Sequence, residues 1–387
     1  MARAVVVGAG LGGLAGAIAL ARRGWEVTVL ERRDRPGEVG AGIALWPNGL
    51  RALDAVGLGA AVRAAGAVEG DGGIRDRRGR WLTRTDAATL RRRQGDGIVV
   101  LERPRLHELL RAAAPPVDAD AAVRAVDPGD ATTPAVVHDV RGRAHVADLV
   151  IGADGLGSTV RAAVDPAAAP RPTDRTAFRL LAGRAVDAGG ESWGRGDLVG
   201  LAPLPGGRTY LYAVVRTADV PAGALADPLP WLRRRFAGWH DPIPAVLDAA
   251  GPVTVHELAD LRPPRAWSRG RVALLGDAAH AMTPYLGQGA SQAFLDAVVL
   301  ADEARADGSG LDRYERRRSP SARALVGRSR RAGAVATLRS PLAVAARDAL
   351  LAALPDTLAP TALDRLLATE RVARTDGPTE QVTGARR

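Results

Sequence analysis

The chain opens on a quick succession of short patterned segments. Ala4-Val5-Val6-Val7 is a short apolar run, suited to a strand buried on both faces. Gly8 to Gly13 is a glycine-rich turn, Leu14 to Arg23 is Ala-rich with helical character, and Gly24 ends it. Glu26 to Leu30 returns as a second strand and stops at Glu31. Strand, turn, helix and strand within about 30 residues make a βαβ unit. Two more apolar strands, Asp148 to Ala153 and Arg271 to Gly276, run into Gly and Asp. Three β-like runs around Val123, Val137 and Val146 predict a small antiparallel meander. Between Ala177 and Glu257, Leu198 to Leu204 and Tyr210 to Val215 predict a hairpin about Leu204-Pro205-Gly206-Gly207. After Gln288 the pattern is helical to the end, with Pro320, Pro341, Pro355 and Pro360 as breaks and a polar, frayed terminus.

Composition narrows this picture. The 387 residues suffice for two or three domains, and 47% hydrophobic with 25% charged residues is the balance of a globular chain. Aromatics are scarce at 4%, so any aromatic near a ligand pocket stands out. A formal net charge of +10 invites a nucleic-acid reading, but every basic side chain is Arg and the charges are dispersed. The longest runs, Arg91 to Arg93, Arg233 to Arg235 and Arg316 to Arg318, fall short of the about five or six like charges that mark a basic tail. No nucleic-acid partner is expected. The absence of Cys excludes a disulfide framework and thiol chemistry, and fits a reducing cytoplasm. No stretch approaches about 18 apolar residues and no signal-like segment precedes Arg3, so neither a membrane span nor an export signal is expected.

Three constellations carry chemistry. In the first, Gly8 permits a tight turn, Gly10 lets the backbone approach a pyrophosphate, and Gly13 lets the helix pack on the sheet. Leu11 and Gly12 lie in the same turn, where free N–H groups and the helix dipole favour phosphate. Glu31, with Arg32 beside it, stands at the tip of the second strand, where a carboxylate can accept both ribose hydroxyls of an adenosine. This motif alone leaves FAD and NAD open. The second constellation is Gly276-Asp277 followed by Pro284, Gly287, Gln288 and Gly289. An Asp ending a strand suits the hydroxyls of a ribityl chain, and a helix starting near Gln288 would aim its amides at a flavin edge. A nicotinamide enzyme has no use for this second anchor, which decides for FAD. His280 in the same run reads as a packed structural residue. The third is Gly152-Ala153-Asp154-Gly155 with Ser158 and Arg161, which reads as a polar, phosphate-facing rim.

Together these residues resemble the single-component, class A flavoprotein monooxygenases, the para-hydroxybenzoate hydroxylase-like family. Gly8 to Gly13 with Glu31 is similar to its dinucleotide fingerprint, Asp154-Gly155 to its DG motif, Gly276-Asp277 to its GD motif, and Pro284 to Gly289 to its flavin-edge loop. Arg103, ahead of Leu106 and Leu109, resembles a family Arg near the ribityl and phosphate region. Gly40-Ala41-Gly42-Ile43 and Pro47-Asn48 to Leu53 resemble a segment beside the isoalloxazine. The likeness runs from residue 4 to about 300. The chain departs from the pattern at Tyr285, where many relatives carry a small polar residue, and at Leu295, which replaces an acid common before Asp296.

The resemblance implies an α/β protein: a Rossmann-type, glutathione-reductase-like FAD-binding domain with an inserted β-sheet substrate domain and C-terminal helices. The expected bounds are 1–70, 97–175 and 265–302 for the FAD domain, 71–96 and 176–264 for the substrate domain, and 303–387 for the helical region. It also implies non-covalent FAD, NAD(P)H as co-substrate, and O2 activated as a C4a-hydroperoxyflavin that oxygenates a small aromatic or polyketide-like molecule. No metal is expected, because six scattered His and no Cys offer no ligand pattern. Substrate-side candidates are Arg179, Trp46, Tyr210, Tyr212, Tyr285 and His256, since polar-tipped aromatics and a lone Arg suit a phenolic ligand. Alternatives are an FAD-dependent epoxidase or reductase of an isoprenoid-like substrate, and a non-catalytic flavin-binding regulator. Flavin-dependent halogenases need an active-site Lys and disulfide reductases a Cys pair, and both residue types are absent. A monomer or homodimer in the cytoplasm is expected.

Overall fold

Four small or β-branched apolar residues in a row can be satisfied only between two covered faces, and Ala4, Val5, Val6 and Val7 are all buried. The computed structural model describes residues 1–34 and 41–354 together with Asp364 and Leu367. In it the strand Arg3–Val7 lies near the middle of a six-stranded sheet, parallel to Glu26–Leu30 on one side and Leu149–Gly152 on the other. Val117–Asp118 and Val272–Leu274 extend the parallel arrangement, and Ser268–Arg269 closes one edge antiparallel. The helix Leu11–Ala21 is buried over most of its surface, and the small residues that give it weak amphipathicity also let neighbours come close. A Cβ on Gly12 would lie 3.0 Å from Leu275 and 3.1 Å from Ala293 of the helix Gly289–Glu303. All five parallel strands end on the same side of the sheet. An α/β sheet of this kind binds ligands outside those carboxyl ends.

The second large sheet has seven strands, in the order Ala250–Leu261, Pro170–Ala182, Arg208–Arg216, Leu198–Leu204, Gly190–Trp193, Gly72–Asp76, Trp81–Thr85. It is antiparallel except where Gly190–Trp193 meets Gly72–Asp76. The predicted hairpin is its centre: Leu198 pairs with Val214 and Leu204 with Arg208 about the Pro205–Gly207 turn. The predicted meander forms a separate sheet of Val123–Asp127, Ala135–Asp139 and Ala144–Ala147. A third small sheet pairs Gly42–Leu45 and Ala67–Val68 with Val99–Glu102. The mixed fold expected from the sequence, a parallel dinucleotide-type sheet joined to an antiparallel one, is the fold observed.

The C-terminal part corrects one expectation. Pro320 does not break a helix; it sits inside the continuous helix Leu311–Ala336. The lost backbone hydrogen bond is outweighed by a buried seam of Leu311, Tyr314, Arg318, Ala322, Leu325, Ser329, Gly333 and Ala336. Pro341 starts the helix Pro341–Ala352 rather than interrupting one, because the first turn has no use for its N–H. Pro355, Pro360 and the expected frayed terminus lie outside the described residues, as does Gly40. The runs Arg91 to Arg93 and Arg233 to Arg235 occupy the last turns of Ala87–Gln94 and Pro228–Phe236, where cations complement the helix dipole. Among the described residues no helix is long and apolar enough to cross a membrane, and no metal-ligand cluster occurs.

Candidate active site

A cavity of about 920 Å³ opens where the carboxyl ends of the parallel strands meet one face of the antiparallel sheet. Gly8, Gly10, Leu11, Gly12, Glu31, Arg32, Asp154, Gly155, Gly276 and Asp277 line one part of it. Gly8 has φ +103, and a Cβ there would lie 2.5 Å from the Ala153 carbonyl oxygen, so the tight turn admits only Gly. A Cβ on Gly13 would lie 1.9 Å from the Gly8 oxygen; Gly13 serves helix-to-strand packing and does not line the cavity. Gly10, Gly157 and Gly289 differ. They line the cavity, yet a Cβ at each would meet nothing within 4 Å. No packing among the described residues demands glycine there, and the open space leaves the backbone free for a ligand to approach. The residues present therefore fit a dinucleotide. Glu31 braces the turn by accepting Ala9 N–H (2.8 Å) and Arg33 N–H (3.0 Å), and its remaining lone pairs stay available.

The second anchor rests on a buried ionic cluster. Asp296 accepts Gly276 N–H (2.9 Å) and His280 Nε2 (2.5 Å) on one oxygen and Arg318 Nε (2.7 Å) on the other. Burial alone would raise the Asp296 carboxyl, but His280 and Arg318 outweigh it and hold it at about 2. His280, stacked on Trp267 at 5.2 Å, is thus a structural residue, as expected. The clamp fixes the turn from which Asp277 projects into the cavity, exposed and without a hydrogen-bond partner among the described residues. Pro284, Gly287 and Gly289 line the wall beyond it. Gln288 is buried behind that wall, where its Oε1 accepts Asn48 Nδ2 at 2.9 Å. Trp46 lies over Gly287, its Nε1 2.8 Å from where a Cβ would stand. Gly42 and Ile43 enter from the strand Gly42–Leu45, and Arg103 from the first turn of Arg103–Ala113.

The opposite wall follows from strand register. Residues paired across neighbouring strands share a face. The row Arg179, Tyr212, Gly200, Glu191, Ile74, Thr83 crosses six strands, and all but Gly200 line the cavity. A Cβ on Gly200 would lie 2.0 Å from Tyr212 Cζ. Its absence lets the Tyr212 ring lie over the intervening strand and donate its hydroxyl to Glu191 (2.7 Å), which also accepts Trp193 Nε1 (2.7 Å). Burial, and then Glu191, raise the Tyr212 hydroxyl far above its usual range, so it remains a donor. Burial also pushes the Glu191 carboxyl up, against those two hydrogen bonds. Glu69 lines the same region; burial, then Glu191, push its carboxyl up to about 7. Tyr210 packs beside Tyr212 (5.5 Å) and against Gly42, and Tyr285 lies against Gly333 of the long helix while lining the cavity. Burial raises the Tyr285 hydroxyl to about 12.

Two expected features fall elsewhere. His256 does not line the cavity; it sits on the edge strand Ala250–Leu261, beyond the wall formed by its partner Ala177. Ser158 and Arg161 do not form a phosphate-facing rim. Ser158 donates to Asp154 (2.5 Å), and the buried Arg161 spends its guanidinium on the carbonyls of Leu156, Ala168 and Ala278. Glu69, Glu191 and His107 were not anticipated. His107, one turn after Arg103, donates Nε2–H to the Ala9 carbonyl at 2.9 Å and steadies the glycine turn. Its i, i+4 spacing from Arg103 was the only sequence signal available.

A two-anchor dinucleotide cradle sharing one cavity with a second substrate face defines a flavoprotein of the hydroxylase type. The family model described as "FAD binding domain" matches residues 1–182 and 258–329, and the chain belongs to this family. It is 33% identical over 359 residues to an aurachin C monooxygenase/isomerase of Stigmatella aurantiaca, covering 90% of this chain and 93% of that one. It is also 33% identical to an FAD-dependent urate hydroxylase of Klebsiella pneumoniae, over 85% and 89% of the two chains. The crystal structure of Klebsiella pneumoniae HpxO with FAD and uric acid superposes with a TM-score of 0.86 at 27% identity, over 95% and 97% of the chains. The chain is an FAD-dependent aromatic monooxygenase.

Proposed function

We propose that the protein uses NADH or NADPH together with O2 to hydroxylate a small aromatic or heteroaromatic molecule seated beneath the Arg179–Tyr212–Glu191 row. One observation carries this reading: a single cavity runs from the glycine turn and Asp277 to that row, so a cofactor and a substrate would share it. When bound, the flavin supplies the redox chemistry, taking reducing equivalents from NAD(P)H and activating O2. The chain's own residues bind, orient and exclude water. Backbone amides of Gly10 to Gly12, at the start of Leu11–Ala21, would hold the pyrophosphate. Glu31 would take the adenosine ribose, and Asp277 the ribityl hydroxyls. The N-terminus of Gly289–Glu303 would face the flavin edge where negative charge collects on reduction. Trp46, Tyr210 and Tyr285 would wall the substrate from solvent. On this reading residues 1–70, 97–175 and 265–302 form the cofactor unit, and 71–96 with 176–264 the substrate unit.

A relative named for urate supports a nitrogen heterocycle over a plain hydrocarbon. The test is NADH and NADPH oxidation by the FAD-loaded protein with a panel of phenols and 4-hydroxyquinoline, with products analysed by mass. Substrate-stimulated oxidation that yields a product heavier by one oxygen is expected. Turnover to a product without added oxygen would replace the hydroxylase with a reductase.

A further inference from the structure

The substrate end of the cavity holds two carboxylates, with no cation paired to them among the described residues. Glu191 is fixed by Tyr212 and Trp193. Glu69 is placed by a different device: a Cβ on Gly189 would lie 1.9 Å from Glu69 Oε1, so the missing side chain makes the space the carboxylate fills. Its backbone N–H donates to the Ile98 carbonyl, but its carboxylate has no hydrogen bond or ion pair among the described residues. A half-buried carboxylate that opens on the cavity with no protein donor among the described residues is the group a ligand's N–H or O–H would satisfy. Arg179, the cation of the same row, stands three strand spacings from Glu191, about 14 Å along the sheet. The cavity is therefore polarised, with a guanidinium at one end and carboxylates at the other.

We propose that Glu69 accepts a proton from a ring N–H or O–H of the substrate, and that the substrate is in consequence a neutral hydrogen-bond donor rather than a benzoate-type anion; this rests on the hydroxylase reading of the same cavity. In this step the heteroatom–hydrogen bond breaks, the proton forms an O–H bond on Glu69, and the electron pair stays on the heteroatom. Electron density rises at the ring carbons ortho and para to it, the positions an electrophilic oxygen attacks. Glu191 and Tyr212 act as positioning residues. Tyr212 fixes Glu191 by its hydrogen bond, and the Glu191 charge repels a substrate carboxylate and raises the basicity of Glu69. The titratable groups facing Glu69 are Glu191 and, through it, Tyr212; no cation among the described residues pairs with it.

The experiment compares FAD-loaded wild type with Glu69→Gln, using 4-hydroxyquinoline and 3-hydroxybenzoate as probes. Binding is read from the perturbed flavin spectrum across pH, and turnover from NAD(P)H oxidation. Wild type is expected to bind 4-hydroxyquinoline at least about tenfold more tightly than 3-hydroxybenzoate, with affinity falling as Glu69 protonates below about 7. Glu69→Gln, which keeps the shape and an acceptor oxygen, should lose that pH dependence. Its kcat should fall roughly 10²–10⁴-fold, well beyond the weakening of binding that the loss of the charge causes, and the acid limb of the kcat/KM profile should vanish. Tighter binding of the benzoate by wild type, or unchanged kcat and pH profile in the variant, would overturn the proposal. If wild type shows the expected binding and its pH dependence but forms no oxygenated product, the Glu69 assignment stands and the hydroxylase reading of that face fails.

Discussion

At pH 8 the holoprotein carrying Glu69→Gln is expected to unfold at a higher temperature than wild type, and near pH 4.5 the two should unfold together. The reason is the environment of the carboxyl, which burial and then Glu191 move from an ordinary 4.5 to about 7. A raised carboxyl holds its proton in the folded state over a window in which the unfolded chain has already released it. Folded-state stability therefore falls as pH climbs from 4.5 to about 7, and the full cost is present above that. At about 1.4 kcal/mol per unit, the displacement corresponds to a cost of about 3 kcal/mol at pH 8, an upper figure because Glu69 keeps some surface toward the cavity. Gln does not titrate, so the variant escapes the cost and gains several degrees of Tm at pH 8. Thermal unfolding followed by circular dichroism at several pH values measures the difference. An equal offset at pH 4.5 and pH 8, or a variant less stable at pH 8, would show that Glu69 is not held in a buried site beside a second carboxylate.

The cofactor cradle yields three further expectations. Gly10→Val should leave the fold and the apoprotein Tm little changed, since a Cβ there meets nothing within 4 Å among the described residues, yet weaken FAD binding by roughly 100-fold or more, read by flavin titration. Asp277→Ala should cost little stability, because that carboxylate has no hydrogen-bond partner among the described residues, and should lower FAD affinity about tenfold for one lost charge-assisted hydrogen bond. Arg318→Met should destabilise by about 3–5 kcal/mol, as it strands the buried Asp296 carboxylate that clamps the Gly276 turn; a denaturant midpoint close to wild type would contradict the clamp.

The cofactor half was legible in the sequence because its determinants are local. A glycine turn needs only a strand before it and a helix after it, and both are short-range patterns. The same holds for Gly276-Asp277 and for the helix that begins at Gly289. The substrate half was not, since its residues meet only through sheet register. Glu191 and Tyr212 face each other because Gly200 stands between them on a third strand, and Glu69 reaches them from a segment far earlier in the chain. No spacing in the sequence encodes that row. His256 failed for the same reason: alternation gives a side chain a face, but not whether its strand lies under the cavity or past its edge. Arg161 misled because a guanidinium near a glycine motif reads as a phosphate ligand until its carbonyl partners are known. Pro320 misled because propensity yields to a long buried seam.

The measurement that bears most directly on the whole reading is the visible spectrum of the purified protein, followed by oxygen uptake with NADH or NADPH in the presence of 4-hydroxyquinoline. A yellow protein with one FAD per chain, whose oxygen consumption rises with the aromatic and whose product gains one oxygen, is the predicted result. A colourless protein that cannot be reconstituted with FAD would contradict it, because the open glycine cradle and the cavity-facing Asp277 would then have no ligand to explain them.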